Sequence, residues 1–204
     1  MSKYLTMPIK KTNHSYDLDR CLVEWERIQS RLGSKLYDSH KFEKGQNLQT
    51  CVQRREKSIG NQYTDGLGAD VDWTDGKWHS NDGAYQYYQK RFIVNQSDFR
   101  TLNEIYEGTV FADMIHDVDG ERARIMHMNP CTSYSVHRDN SPRYHAALIT
   151  NPNAYFVFPT LNEVIHIPAD GFLYEVDTTI LHTFVNCGPE RTHLIISKPM
   201  IKDH

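Results

Sequence analysis

The residues best equipped for chemistry cluster in the last third of the chain. They fall in four short phrases: His137-Arg138-Asp139, Arg143-Tyr144-His145, Leu181-His182-Thr183 and Arg191-Thr192-His193. Each sits at or near the end of a segment that reads as extended. In an extended chain, side chains two residues apart share a face, so His137 and Asp139 can aim an imidazole nitrogen and a carboxylate oxygen at one point about 2 Å from each. His182 follows 45 residues after His137. That is enough chain to cross between two sheets and return beside the first strand, where it would supply a third ligand. By itself H-x-D reads more readily as a surface turn, because eleven histidines make chance occurrences common. The context gives it weight.

Two neutral imidazoles and one carboxylate on a single face of a metal leave the opposite positions open, the geometry suited to a ferrous centre that must also take a chelating cosubstrate and dioxygen. Nine residues after His182 comes Arg191, followed by the apolar strand residues Leu194, Ile195 and Ile196. Its guanidinium is therefore expected inside a barrel, and a buried arginine needs an anion. The bland alternatives are specific. Arg143 would pair with Asp139 or Glu175 across a sheet, His145 and His193 would bond backbone, and His166 would face solvent or a neighbouring strand. Asn186 reads as a turn residue before Cys187-Gly188-Pro189, and Asp177, Thr178 and Thr179 as the loop presenting His182, with Gly171 at the turn before it.

These groups need elements to hold them. After Arg122 the texture becomes RARIMHM, SYSVH, YHAALIT, AYFVF, EVIHI, FLYEV, HTFVN and THLIIS, broken by Asn-Pro, Asp-Asn, Pro and Gly. Short alternating or apolar runs between such breakers are strands. Closely spaced strands without intervening helices predict a sandwich or jelly roll whose mouth is left for a site. Upstream, Leu18, Cys21, Leu22, Trp25, Ile28 and Leu32 recur at helical spacing, with Ser15 as N-cap and Gly33 as stop. A second helix is predicted from Ser97 through Phe99, Leu102, Ile105 and Tyr106 to Gly108, with a continuation near Phe111 to Ile115. Between them, Gly60 to Gly83 is rich in glycine, aspartate and asparagine and reads as a long loop, either a lid or an insertion. Its aromatics Tyr63, Trp73 and Trp78, with nearby Tyr85 and Tyr87, are candidate substrate contacts. The chain is expected to form a single domain over 1–204, with a helical and loop-rich part over about 1–120 and a β core over about 121–200.

Composition narrows the partners. A net charge of -3 offers no global positive excess for phosphate backbones, which disfavours nucleic acid. No stretch approaches the length of a membrane span and the N-terminus lacks a signal-type apolar run, so a cytoplasmic protein is expected. The four cysteines lie far apart and form no C-x-x-C pair, which excludes a zinc knuckle or redox dithiol. Gly66-Leu67-Gly68-Ala69 lacks the third glycine of a dinucleotide loop, and neither G-x-x-x-x-G-K-[ST] nor G-x-S-x-G occurs.

The order H-x-D, a distal His and then an Arg in the final strand resembles the Fe(II)- and 2-oxoglutarate-dependent dioxygenases with a double-stranded β-helix (jelly roll, cupin-like) core. The phrases HRDNSPRYHAALITNP and GFLYEVDTTILHTFVNCGPERTHLIIS, with R-x-H after the metal claw, look most like the aspartyl/asparaginyl β-hydroxylase-like branch, which includes cis-type proline hydroxylases. The presence of Asp139 favours the proline-hydroxylase-like pattern. The resemblance implies a mainly β fold with N-terminal helices, in which His137, Asp139 and His182 bind Fe(II) and carry the chemistry. Arg191 would bind the distal carboxylate of 2-oxoglutarate, and Arg143 with His145 the carboxylate nearer the metal. The implied activity is hydroxylation of a C-H bond of an amino acid or peptidyl side chain by O2, with release of succinate and CO2. The nucleobase-dealkylating relatives carry R-x-N-x-T-x-R, which is missing after Arg191. A rival reading keeps the same three ligands in a cupin-like metal-binding module or isomerase without oxygenase activity, and an outward-facing, salt-bridged Arg191 would favour it.

Overall fold

Two-residue alternation lays down the second half of the chain as strands in the computed structural model of the protein, which describes residues 7–36, 48–58, 61–65, 78–81, 84–87 and 95–199. The strands are β1 (Ile9–Ser15), β2 (Leu48–Cys51), β3 (Gln53–Arg54), β4 (Trp78–Asn81), β5 (Ala84–Tyr87), β6 (Thr101–Leu102), β7 (Glu121–Met128) and β8 (Thr132–Ser133). They continue with β9 (Arg143–Ile149), β10 (Ala154–Phe158), β11 (Glu163–Ile165), β12 (Phe172–Val176), β13 (Thr183–Asn186) and β14 (Arg191–Ser197). A six-stranded sheet runs β1-β12-β9-β14-β7-β2 and a four-stranded sheet β11-β10-β13-β8, with antiparallel pairing throughout both. From β7 onward the chain passes between the two sheets as large, small, large, small, small, large, small, large, which is the winding of a double-stranded β-helix. The fold is mainly β, with two α-helices on its flank among the described residues.

Side-chain alternation makes two cores. On the large sheet's inner face, Ile9, Met128, Ala147, Tyr174 and Val176 pack against Ala154, Phe156, Phe158 and Phe184 of the small sheet. On its outer face, Ile125, Ala146, Leu148, Leu173, Leu194 and Ile196 meet the helices through Trp25, Ile28, Phe111 and Met114. The helices α1 (Leu18–Leu32) and α2 (Val110–Asp117) are joined where the Val110 amide donates to Glu24 Oε2 at 2.6 Å. No helix among the described residues is long and apolar enough to cross a membrane. All four cysteines are free thiols, Cys21 and Cys51 buried, Cys131 and Cys187 exposed.

The first half departs from its sequence pattern in four places. Helix α1 is capped by Asp17, whose carboxylate accepts from the Asp19 and Arg20 amides at 2.9 and 3.2 Å, because Ser15 is already the last residue of β1. Its C-terminal stop is Gly33 as expected, at φ 48°. The helix predicted from Ser97 to Gly108 does not form. Thr101 and Leu102 pair instead with Arg54 and Gln53, and the buried Asn103 side chain donates to the Cys51 and Gln62 carbonyls at 2.8 and 3.2 Å. Helical structure is confined there to single turns at Gln96–Asp98 and Glu104–Tyr106, and the true helix is the continuation, α2. Within the predicted loop, β4 pairs with β5 as a hairpin, while 66–77 and Trp73 lie outside the described residues. Two further strands, β1 and β2, extend the large sheet at both edges, so this sheet draws on the N-terminal part as well.

Gly171 holds the turn that leads into β12. It has φ 77°, its carbonyl accepts from the Tyr16 amide at 2.8 Å, and a Cβ there would run into the Tyr16 carbonyl. Gly171→Ala is expected to lower the free energy of unfolding by at least about 1–2 kcal/mol from the left-handed backbone alone, with the clash adding to it. Urea unfolding of the two proteins checks this. An unchanged midpoint would mean that β1 and α1 simply move aside.

Candidate metal centre

The two histidines of the claw meet through the backbone. His137 and His182 form an antiparallel bridge in which each amide donates to the other's carbonyl at 2.9 Å, just beyond the pairing of β8 with β13. Their rings lie 4.6 Å apart at 50° to one another. Asp139 follows two residues after His137, and its amide donates to the Thr178 carbonyl at 2.8 Å. Thr178 in turn donates its hydroxyl to the Ser141 carbonyl at 2.8 Å, and buried Gln96 donates to Ser141 Oγ at 3.0 Å. The loop carrying Asp139 is thus tied to the loop before His182. One ligand atom from each of His137, Asp139 and His182 lies within 4.8 Å of the others.

The donor set fits a divalent ion. His137 Nδ1 faces the Ser135 carbonyl at 2.7 Å and His182 Nδ1 faces the Ile180 carbonyl at 2.9 Å. A carbonyl can only accept, so each Nδ1 carries the proton and each Nε2 keeps its lone pair for a metal. Burial lowers the pKa of His182, which favours the neutral imidazole that coordination requires. Burial alone would raise that of Asp139, but the Arg143 charge and hydrogen bond outweigh it and hold the carboxyl down to about 2.

Arg143 makes the Asp139 ion pair, with both guanidinium contacts at 3.3 Å, and also donates to Ser197 Oγ. It stands at the start of β9, opposite Ser197 on β14 and Val176 on β12. His145, two residues on, shares its face and lies edge-on to Phe156 with centroids 5.0 Å apart. Arg191 is 1% exposed and its guanidinium lies over the Phe184 ring at 4.0 Å. Its Nε has no hydrogen-bond partner, and no carboxylate among the described residues pairs with it. Burial brings its pKa down to about 9. All six predicted site residues line one cavity of about 170 Å³ between the two sheets.

The remaining polar residues divide. Asn186 is a turn residue: it donates to the Asn129 and Pro189 carbonyls at 3.0 and 2.7 Å and accepts from Asn151 at 2.9 Å. His166 Nδ1 faces the Ala154 carbonyl at 2.8 Å. His193 bonds no backbone; both of its ring nitrogens are buried without a partner beside His145 and Phe184. Tyr63 packs on the helical side of the large sheet and not in the cavity, whereas the side chains of Trp78, Tyr85 and Tyr87 are outside the described residues. Among the polar residues of the cavity, Arg124 on β7, Gln49 on β2 and Tyr134 escaped the sequence reading. Arg124 was legible in principle, since alternation in RARIMHM puts it on the inward face; β2 is too short to announce itself.

Enclosure of His193 has a thermodynamic signature. Burial, with the Arg191 charge adding to it, holds this imidazole well below its ordinary 6.5. The folded protein keeps His193 neutral while the unfolded chain takes up a proton below that value, so stability is intact above it and falls as pH drops through it. The slope from this group is about 1.4 kcal/mol per pH unit. Comparing unfolding free energies at pH 7.5 and 5.5 with those of His193→Asn should show a shallower loss in the variant. Identical slopes would place His193 in contact with water.

No family model matches this chain, and no curated protein matches it. Among solved structures it is similar to a viral collagen prolyl hydroxylase from Paramecium Bursaria Chlorella virus-1, determined as a 2OG complex. The superposition covers 95% of this chain and 97% of that one, with 11% sequence identity and a TM-score of 0.47.

Proposed function

We propose that the protein is an Fe(II)- and 2-oxoglutarate-dependent dioxygenase that hydroxylates a C-H bond of an amino acid or peptidyl side chain, with the aspartyl/asparaginyl β-hydroxylase-like branch as its nearest pattern. The observation that carries this reading is the buried guanidinium of Arg191, paired with no carboxylate among the described residues, in the same cavity as the His137, Asp139 and His182 cluster. Unpaired charges are expensive to bury, and a site that keeps one is built for an anion. When bound, ferrous ion and 2-oxoglutarate supply the reduction of dioxygen, one oxygen atom entering succinate as CO2 leaves and the other entering the product hydroxyl.

The chain's own residues then have definite tasks. His137, Asp139 and His182 would hold the ion. Arg191 anchors the distal carboxylate of the cosubstrate. Arg143 and His145 attend the carboxylate nearer the metal, and Arg143 also keeps Asp139 ionised and pointed. Phe156 and Phe184 exclude water from the space between. A closed structural metal site would give Arg191 no purpose, and the arginine is enclosed in place of being salt-bridged on the outer surface.

Anaerobic titration with Fe(II) and 2-oxoglutarate tests the reading. A weak visible charge-transfer band saturating near one equivalent is expected. No band, with the protein folded, would end it.

A further inference from the structure

Among the described residues, the guanidiniums of Arg124, Arg143 and Arg191 line the cavity against the carboxylate of Asp139. Arg143 is paired with Asp139, and under the function proposed above Arg191 is taken by the cosubstrate. Arg124 is left over. It lies on β7 opposite Ile195 of β14 and Cys51 of β2, on the inward face it shares with Met126. Its Nη1 donates to Gln49 Oε1 at 3.3 Å, a neutral partner that orients the fork without neutralising it. Its Nε is buried without a partner, and no carboxylate among the described residues pairs with it. Burial and the neighbouring Arg122 and Arg143 charges bring its pKa down to about 9.

Register separates this cation from Arg191. Arg191 stands opposite Met128, whereas Arg124 stands opposite Ile195, four residues further along the same strand. At about 3.3 Å per residue the two arginines root about 13 Å apart along the sheet. The two forks therefore enter the cavity from separate stretches of its wall.

We propose that Arg124, steadied by Gln49, is a second anion site that binds a carboxylate of the substrate itself. A planar, monovalent oxyanion matches one guanidinium fork. A free amino acid offers such a group at its α-carbon, and a residue inside a peptide offers one only where its side chain is acidic. The site therefore selects carboxylate-bearing substrates and fixes which of their carbons faces the metal.

Saturation-transfer NMR on the full chain, with 2-oxoglutarate in excess to occupy the Arg191 end, tests this with propionate and propionamide as probes. Propionate should receive saturation and propionamide should not. Arg124→Met should cut the propionate signal at least fivefold while leaving that of 2-oxoglutarate unchanged, which also reports an intact fold; Arg124→Lys should retain part of it. N-acetyl-L-alanine carries only an α-carboxylate and the α-amide of N-acetyl-L-glutamate only a side-chain one. Whichever displaces propionate better names the origin, and failure of both counts against the proposal. Loss of the propionate signal on adding 2-oxoglutarate to the parent protein, an unchanged signal in Arg124→Met, or joint loss of both ligands in that variant would overturn it. A propionate signal that depends on Arg124 in a protein that ignores 2-oxoglutarate would keep this site and discard the proposed dioxygenase activity.

Discussion

His182→Ala is expected to abolish metal binding while leaving the fold standing. The bridge between residues 137 and 182 is made by main-chain groups, each amide donating at 2.9 Å, and alanine keeps both bonds. What disappears is an Nε2 lone pair whose orientation is set by Nδ1 donating to the Ile180 carbonyl at 2.9 Å. Removing a group that only orients a ligand typically costs 10- to 100-fold in metal affinity. Removing the ligand itself should cost more, so competition against a chromophoric chelator should show at least about a 100-fold weaker complex with Mn(II) or Fe(II). Unfolding free energy should change by no more than about 2 kcal/mol, the scale of an ordinary single substitution. Full metal affinity in this variant would remove residue 182 from the ligand set.

Arg191→Met should produce two changes of opposite sign. Without cosubstrate, the parent protein carries a buried charge that the Phe184 ring face, 4.0 Å away, partly offsets. A methionine of comparable length fills that space without the desolvation penalty, so the ligand-free protein should gain about 1 kcal/mol or more. At the same time 2-oxoglutarate should lose the partner of its distal carboxylate. Loss of one member of a buried charge pair costs about 2–5 kcal/mol, which is on the order of 30- to several-thousand-fold in affinity. Metal affinity should be unaffected, since Arg191 touches none of the ligands. Thermal unfolding and an anaerobic cosubstrate titration read the two effects separately. A less stable variant that still binds 2-oxoglutarate would assign Arg191 a packing role.

The strands from β7 to β14 were legible because their inward positions face a core and their breakers are strong, so period and punctuation agree. The claw was legible for the same reason, since two residues of one extended phrase must share a face. Its convergence with His182 rests on the pairing across 137 and 182, a long-range bond that no local pattern encodes. The N-terminal strands were hidden by chemistry suited to sheet edges: β1 reads IKKTNHS, with Ile9 its only buried residue. The segment after Ser97 misled because Phe99, Leu102, Ile105 and Tyr106 keep helical spacing while their backbone is claimed by β3 and by the side chain of Asn103. Arg124 was passed over because an arginine in a strand reads as a solvated edge unless the sheet on its other side is known.

The three prospective ligands all belong to the smaller sheet and the loops tied to it, whereas Arg124, His145 and Arg191 all project from the larger one. Under the proposed function, reactivity and selectivity would be housed on separate walls, joined chiefly by the pair between Asp139 and Arg143. If that function holds, one wall could be rewritten by mutation for a different guest while the other kept its ligand set.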